Sequence, residues 1–524
     1  MVRSDFTFWA FFISLYSVFL FIEVLEMGFL HQQTYLSRRL FQPFSTCNWG
    51  LLCALLSTGC GAASGVIDET NEQATTLCLS EEPSSSETGH EHQSASYLIN
   101  GATILTANGE RFESGHLLME NGRIRALGEG EIEAPDDETV LIDGTGRFIT
   151  PGIIDTHSHL GVYPTPHVRA HSDGNEATAS TTPYVQALHS VWPQDPGFFR
   201  AIAGGVTAMQ ILPGSANLIG GRGVTIKLHR GARVPEEMRF PDALDGLKMA
   251  CGENPKRVYG GRGSLPSTRM GSISVMRQVW AEATEYREQQ DRYEDSVNEW
   301  CEVGAAADEQ PDAPPRNLGM ETLASVLEGD ILVHIHCYRA DEMMVQMQIA
   351  DEFGFEIRSF HHAIEAYKIR DHLALQEIAV STWADWWGFK IEAFDAILEN
   401  AGLLTESGAR AIIHSDSAIG IQRLNQEAGK AYYSAISSGV DVTEDEAIQW
   451  ITLNPAWALG VDHETGSLEI GKMADVVLWS DHPFSVYSTA DLVFVDGEME
   501  YDSENNEEPW SDFELGLDLN EGGQ

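Results

Sequence analysis

The chain has 524 residues, 43% of them hydrophobic, which is more than one small domain holds and suits a large catalytic domain with a smaller companion. Its 79 acidic against 32 basic residues leave a formal charge of −47, a field that repels polyanions and excludes nucleic acid as a partner. Seven cysteines without a CxxC spacing exclude a disulfide scaffold, although one bridge stays open and spacing singles out no pair.

The first elements read as an address. Residues 6–22, FTFWAFFISLYSVFLFI, form an apolar run that suits a short membrane span or a signal. Ser37-Arg38-Arg39-Leu40-Phe41 then resembles a twin-arginine export signal. LSTGC, ending at Cys60, resembles a lipobox with Leu56 one place further from the cysteine than usual. Two readings stay open: translation from Met27, which makes the first run an artefact of the gene start, or a genuine N-terminal anchor. Both make residues 1–65 an export and attachment segment and predict a periplasmic or cell-surface protein held at a membrane. Residues 66–95, with SEEPSSSETGHEHQS, read as a disordered tether.

Residues 96–150 alternate short strand-like runs with Asn-Gly and Gly turns, the pattern of a β-hairpin meander. From Pro151 the texture changes. Apolar, β-rich runs at 205–212, 244–250, 330–338, 355–363, 377–385 and 409–416 alternate with amphipathic stretches such as ADEMMVQMQIADEFG. With the opening run and a weaker eighth near Gly223–Leu228, this predicts a parallel (β/α)8 TIM-like barrel over 151–460. Residues 283–318 read as an exposed helical insertion with a loose loop. GSANLIGGRG (214–223) suits either an anion-binding loop or a plain tight connection. Residues 461–501 return to strand texture and are expected to complete, with 96–150, a small β-sandwich. Residues 502–524 read as an acidic disordered tail.

In such a barrel, chemistry sits at the C-terminal ends of strands. His157 and His159 end the first apolar run at spacing i, i+2, which turns both imidazoles to one side. His334 and His336 end DILVHIH, His361 and His362 end FEIRSFHH, and Asp416 ends ARAIIHSD behind His414. Lys248 lies inside the apolar GLKMA run. A desolvated lysine has a lowered pKa and can take up carbon dioxide as a carbamate that bridges two metals. Histidines and a carboxylate on four strand ends, with a lysine on a fifth, point to a divalent metal, zinc by its donor set, with one or two ions per chain.

PGIIDTHSH, the buried lysine, HSD and the closing NPAWALGVDHETGSLEIGKMADVVLW resemble the amidohydrolase superfamily, in its imidazolonepropionase- and prolidase-like branch, over about residues 97–500. The resemblance implies metal-dependent hydrolysis of an amide or cyclic-amide carbon–nitrogen bond in a small molecule. It implies His157, His159, Lys248, His336, His362 and Asp416 as the metal-ligand positions, with Asp416 also moving the proton. Alternation along the strands is taken to turn His334, His361 and His414 to the opposite face as supporting residues. Tyr338, Arg339 and Trp386 are candidate substrate contacts, because each follows a strand end closely. A dipeptidase of the prolidase type and a surface lipoprotein that kept the fold without catalysis are the other readings. The sequence leaves the oligomeric state and the number of metal ions open.

Overall fold

The computed structural model describes residues 95–302 and 310–505. The expected address (1–65), all but the last residue of the tether, and all but the first residues of the tail lie outside the described residues. Strands β1 (Tyr97–Leu105), β2 (Arg111–Glu120) and β3 (Arg123–Glu129) form the expected antiparallel meander. Asn121 and Gly122 turn β2 into β3 with φ of +51° and +74°, the paired positive values that a two-residue type I′ hairpin requires.

Strands β4 (Val140–Asp143) and β5 (Phe148–Pro151) both run parallel to β1, on successive stretches of it. The end of the chain then joins. β14 (Val476–Trp479) pairs antiparallel with β5, β15 (Ala490–Val495) with β14, and β16 (Glu498–Asp502) with β15. The strands expected to make a sandwich therefore belong to one continuous hydrogen-bonded sheet, ordered β16-β15-β14-β5-β1-β2-β3 with β4 on β1. Ile99, Ile104, Leu117, Ile149, Val476 and Phe494 form its own apolar core. Asp496 and Gly497 make a second hairpin tip with φ of +50° and +72°. A Cβ on Gly497 would stand 3.2 Å from Cα of Gly122, so the two tips meet where neither glycine can carry a side chain.

The second sheet follows chain order, β6 (Ile153–Ser158), β7 (Val206–Ile211), β8 (Ile219–Lys227), β9 (Gly246–Ala250), β10 (Leu332–His336), β11 (Ile357–His361), β12 (Ala379–Thr382) and β13 (Ala411–Ile413). It is a TIM-like barrel sheet with one departure: β8 runs antiparallel to both β7 and β9. The weak eighth run is thus a strand, joined to β7 by a short turn where the other connections carry helices. The 214–223 stretch is that turn plus the first half of β8, with Arg222 held by Asp245 at 2.6 Å. No ladder joins β13 to β6. The seam is closed by the Asp416 N–H donating to the His157 carbonyl at 3.0 Å and the Ser415 N–H donating to the Asp155 carboxylate at 3.1 Å.

Two helices matter for the site. Pro196–Ala203 starts with Pro196 at its first turn and Asp195 as its cap, accepting from the Gly197 N–H at 2.9 Å. Asp195 also accepts from Gly161 N–H at 2.9 Å and Thr165 N–H at 3.1 Å, which fixes the loop leaving His159. The expected insertion is a 34-residue helix, Arg269–Glu302, anchored by Trp280, which is fully buried and stacks on Phe355 at 4.3 Å.

Candidate metal centre

Each expected site residue can now be placed. His157 ends β6 and His159 follows it. Lys248 lies in β9, His336 ends β10, His362 follows β11 and Asp416 follows β13. Donor atoms of His157, His159 and Asp416 all lie within 4.8 Å of one another. Asp416 Oδ1 is 3.3 Å from His159 Nε2 and 3.8 Å from His157 Nε2, and Oδ2 is 3.7 Å from His362 Nε2. Lys248 Nζ donates to the Pro213 carbonyl at 3.0 Å and lies 3.2 Å from His157 Nε2. The His336 ring stands 4.7 Å from that of His362. The structure therefore brings all six together.

Local hydrogen bonds decide which nitrogen faces inward. A backbone carbonyl only accepts, so His159 Nδ1–H donates to Leu212 O at 2.7 Å, which turns Nε2 toward Asp416. His414 Nδ1–H likewise donates to Thr382 O at 2.8 Å. Its Nε2 then accepts from His362 Nδ1–H at 2.7 Å, and His362 Nε2 is left as a lone pair. That Nε2, with both ring nitrogens of His336, is buried without a hydrogen-bond partner. Buried polar atoms are seldom left so, and one free lone pair on each of two adjoining rings marks a place built for something that accepts lone pairs.

Electrostatics agree. Burial first, then the nearby Lys248 charge and neighbouring imidazoles, push His157 and His362 far below the usual histidine range, and burial with Lys390 and Lys248 does the same for His336. All three are neutral donors at working pH. Burial lowers Lys248 to about 7, against a pull upward from Asp416. Burial pushes Asp416 up, but the His159 hydrogen bond and the charges of His159, His414 and Lys248 outweigh it and hold the carboxylate ionised. Asp155 is raised to about 6 by burial, partly offset by its bonds from Ser415 and the His157 N–H.

Four residues need correction. His334 shares a face with His336, being two residues away, and both point into the barrel. His361 points inward as well, with Nδ1 2.9 Å from His157 Nδ1. His362 takes a left-handed φ of +58°, which breaks the strand alternation and lets two successive histidines face the centre. His414 also reaches inward, to His362. Arg339 turns away from the cluster, its Nε donating to the Asp341 carboxylate at 2.9 Å on the rim. Tyr338 is buried beside His336, with ring centroids 5.1 Å apart, under the Lys390 ammonium 3.7 Å from its centroid. Trp386 stacks on Trp383 at 4.7 Å, and Trp383 stacks on His362 at 4.5 Å.

Sequence reasoning missed Cys251 and Cys337, each one residue past the strands that carry Lys248 and His336, which form a disulfide with Cα atoms 5.2 Å apart. Only strand adjacency reveals that pair. It also missed Gln210, a neutral residue within β7. A cavity of about 450 Å³ opens beside the cluster, lined among others by Val162, Asp173, Asn175, Glu176, His189 and Pro213, the last of which receives Lys248.

A TIM-like barrel with histidines, a lysine and an aspartate gathered at its strand ends defines a class, and comparison with known proteins narrows it. The family model described as Amidohydrolase family matches residues 394–503. A solved amidohydrolase from Thermotoga maritima MSB8 is 36% identical, with a TM-score of 0.69, over 78% of this chain and 100% of that one. Amidohydrolase tasK of Hapsidospora irregularis is 32% identical over 74% of this chain, which spans only 40% of that protein's length. Imidazolonepropionase of Stenotrophomonas maltophilia is 23% identical over 76% of this chain and 93% of its own. The chain belongs to the amidohydrolase superfamily. Its named relatives are hydrolases of carbon–nitrogen bonds, in a family generally dependent on divalent metals.

Proposed function

We propose that the protein hydrolyses an amide or cyclic-amide carbon–nitrogen bond in a small molecule, with a divalent metal, zinc by its donor set, held at the barrel mouth. The observation that carries this reading is the unpartnered buried nitrogens of His362 and His336 beside the cluster of His157, His159 and the ionised Asp416. Those five side chains fit the metal: four imidazoles and one carboxylate. When bound, a divalent metal lowers the pKa of a water ligand and polarises a carbonyl. Asp416 takes the proton of the attacking water and returns it to the leaving nitrogen, a role its ionised state and central position suit. Lys248, near 7 in this environment, has a large neutral fraction at neutral pH, the form that takes up carbon dioxide as a carbamate, which would add a carboxylate donor for a metal. Trp386, with Phe389 beside it, extends the stack on His362 toward solvent at 38% and 55% exposure, a wall suited to an apolar or planar substrate group.

We further propose that the barrel spans 151–460, that 96–150 and 461–501 build the companion domain, and that residues 1–65 export the protein and attach it to a membrane. The twin-arginine-like and lipobox-like runs support the last point. The reading is tested by metal content per chain, measured by plasma mass spectrometry on protein purified without chelator, with Lys248→Ala alongside. Two ions falling to one or none in the variant support the bridged pair. One ion in both supports a mononuclear site. None in either, even after reconstitution, refutes the reading.

A further inference from the structure

Backbone carbonyls fix the tautomers of His159 directly and of His362 through His414, but no carbonyl does so for His157. Its Nδ1 lies 2.9 Å from His361 Nδ1, His361 Nε2 lies 2.9 Å from His334 Nδ1, and His334 Nε2 lies 3.3 Å from Gln210 Nε2, whose amide oxygen is buried without a partner. All four side chains are wholly buried, so this line crosses the barrel interior beneath the cluster without meeting water. Gly246 makes room at its far end: a Cβ there would stand 2.5 Å from the Gln210 amide and 2.9 Å from His334 Cδ2.

Both ring nitrogens of His361 and of His334 are engaged within this line, so each ring donates at one nitrogen and accepts at the other. With one proton per ring, all three contacts must point the same way. In one order Gln210 donates, and His157 ends with its proton on Nε2. In the other His157 Nδ1–H donates to His361, His361 Nε2–H to His334, and His334 Nε2–H to Gln210. The proposed metal settles the choice, since it needs a lone pair on His157 Nε2, the nitrogen that faces Asp416 and Lys248. That order requires the Gln210 amide turned over, which brings its otherwise unpartnered oxygen to His334 Nε2–H. The two ends of an amide have the same shape, and the network decides between them.

We propose that Gln210, His334 and His361 are positioning residues: a buried one-way hydrogen-bond line that keeps the His157 proton on Nδ1 and leaves Nε2 as a lone pair for the metal. This rests on the reading of His157 as a metal ligand. Partners that fix a liganding imidazole in this way typically carry 10–100-fold in metal affinity.

The test has two readouts. The first is the ring-nitrogen NMR spectrum of the metal-free full chain, ¹⁵N-labelled at histidine and assigned with His157→Gln, His334→Gln and His361→Gln. The expected pattern is a proton on Nδ1 of His157 and on Nε2 of His361 and His334. Protons on Nδ1 of His334 and His361 and on Nε2 of His157 overturn the proposal. The second is zinc affinity by chelator competition. Gln210→Glu, which still accepts, should stay within about threefold of wild type, while Gln210→Met should bind roughly 10–100-fold more weakly. The reverse ranking means that Gln210 only fills space, and overturns the line. If Gln210→Met does not fold, the wild-type spectrum decides alone. A wild type that binds no zinc refutes the metal site separately and leaves the tautomer pattern to judge the line.

Discussion

The tie between the barrel and the small sheet should lose strength in alkali. At the end of β8, Lys227 is buried against Asp475 at 3.0 Å and donates to Asp496, which stands at the tip between β15 and β16. His229, two residues on, joins Asp496 at 2.9 Å through Nε2 and Glu500 at 2.9 Å through Nδ1. Burial alone would lower the His229 pKa, but the two carboxylates overcome it and raise it from 6.5 to about 9. A folded-state pKa above the unfolded one means a contribution fully present below about 6.5 and lost as pH climbs through about 9. At 1.36 kcal/mol per unit, the raised value corresponds to about 3 kcal/mol. With roughly 2 cal/mol/K of unfolding entropy per residue over about 400 described residues, that is about 4 °C in Tm. Lys248 contributes with the opposite sign, because its lowered pKa costs stability that is relieved as pH rises above about 7. The informative quantity is therefore the difference between wild type and His229→Gln, measured by calorimetry from pH 6 to 10. Wild type should melt about 4 °C higher at pH 6, and the gap should close by pH 10. A gap independent of pH would refute the assignment of the tie to a charged His229.

Other expectations are as direct. Asp416→Asn should keep its metal by mass spectrometry and lose about 10²–10⁴ in kcat, the span of a lost general acid–base group. Trp386→Ala should raise KM about 2–10-fold for an amide with an aromatic group and leave an acetamide-sized substrate unchanged, with metal content unaltered. Trp280→Ala should destabilise the protein by about 3–5 kcal/mol in urea unfolding, because a fully buried ring stacked on Phe355 leaves a cavity.

Much of this was readable in the sequence because the chemistry sits on short regular elements. The His157–His159 spacing, the apolar runs and the HSD ending announce strand ends bearing donors, and the structure brings them together. What escaped were relations between strands. The antiparallel sense of β8 depends on a short β7–β8 turn that apolar periodicity does not encode. That His362 faces inward beside His361 depends on its own left-handed φ, which alternation cannot foresee. Gln210 carries no charge and makes its contact 124 positions away, so no local pattern marks it. Arg339 looked like a substrate contact until Asp341, two residues along, claimed its guanidinium.

The seam between β13 and β6 bears on when activity can arise as the chain is made. His157 and Asp416 meet there, and one belongs to the first barrel strand and the other to the last. Every earlier strand can be complete, with four imidazoles ready, while the carboxylate and the final closing bonds are still absent. A polypeptide released before residue 411 would own most of the ligands and none of the reaction. On the proposed function, competence would thus come in one late event, the docking of β13 beside the strand that was made first.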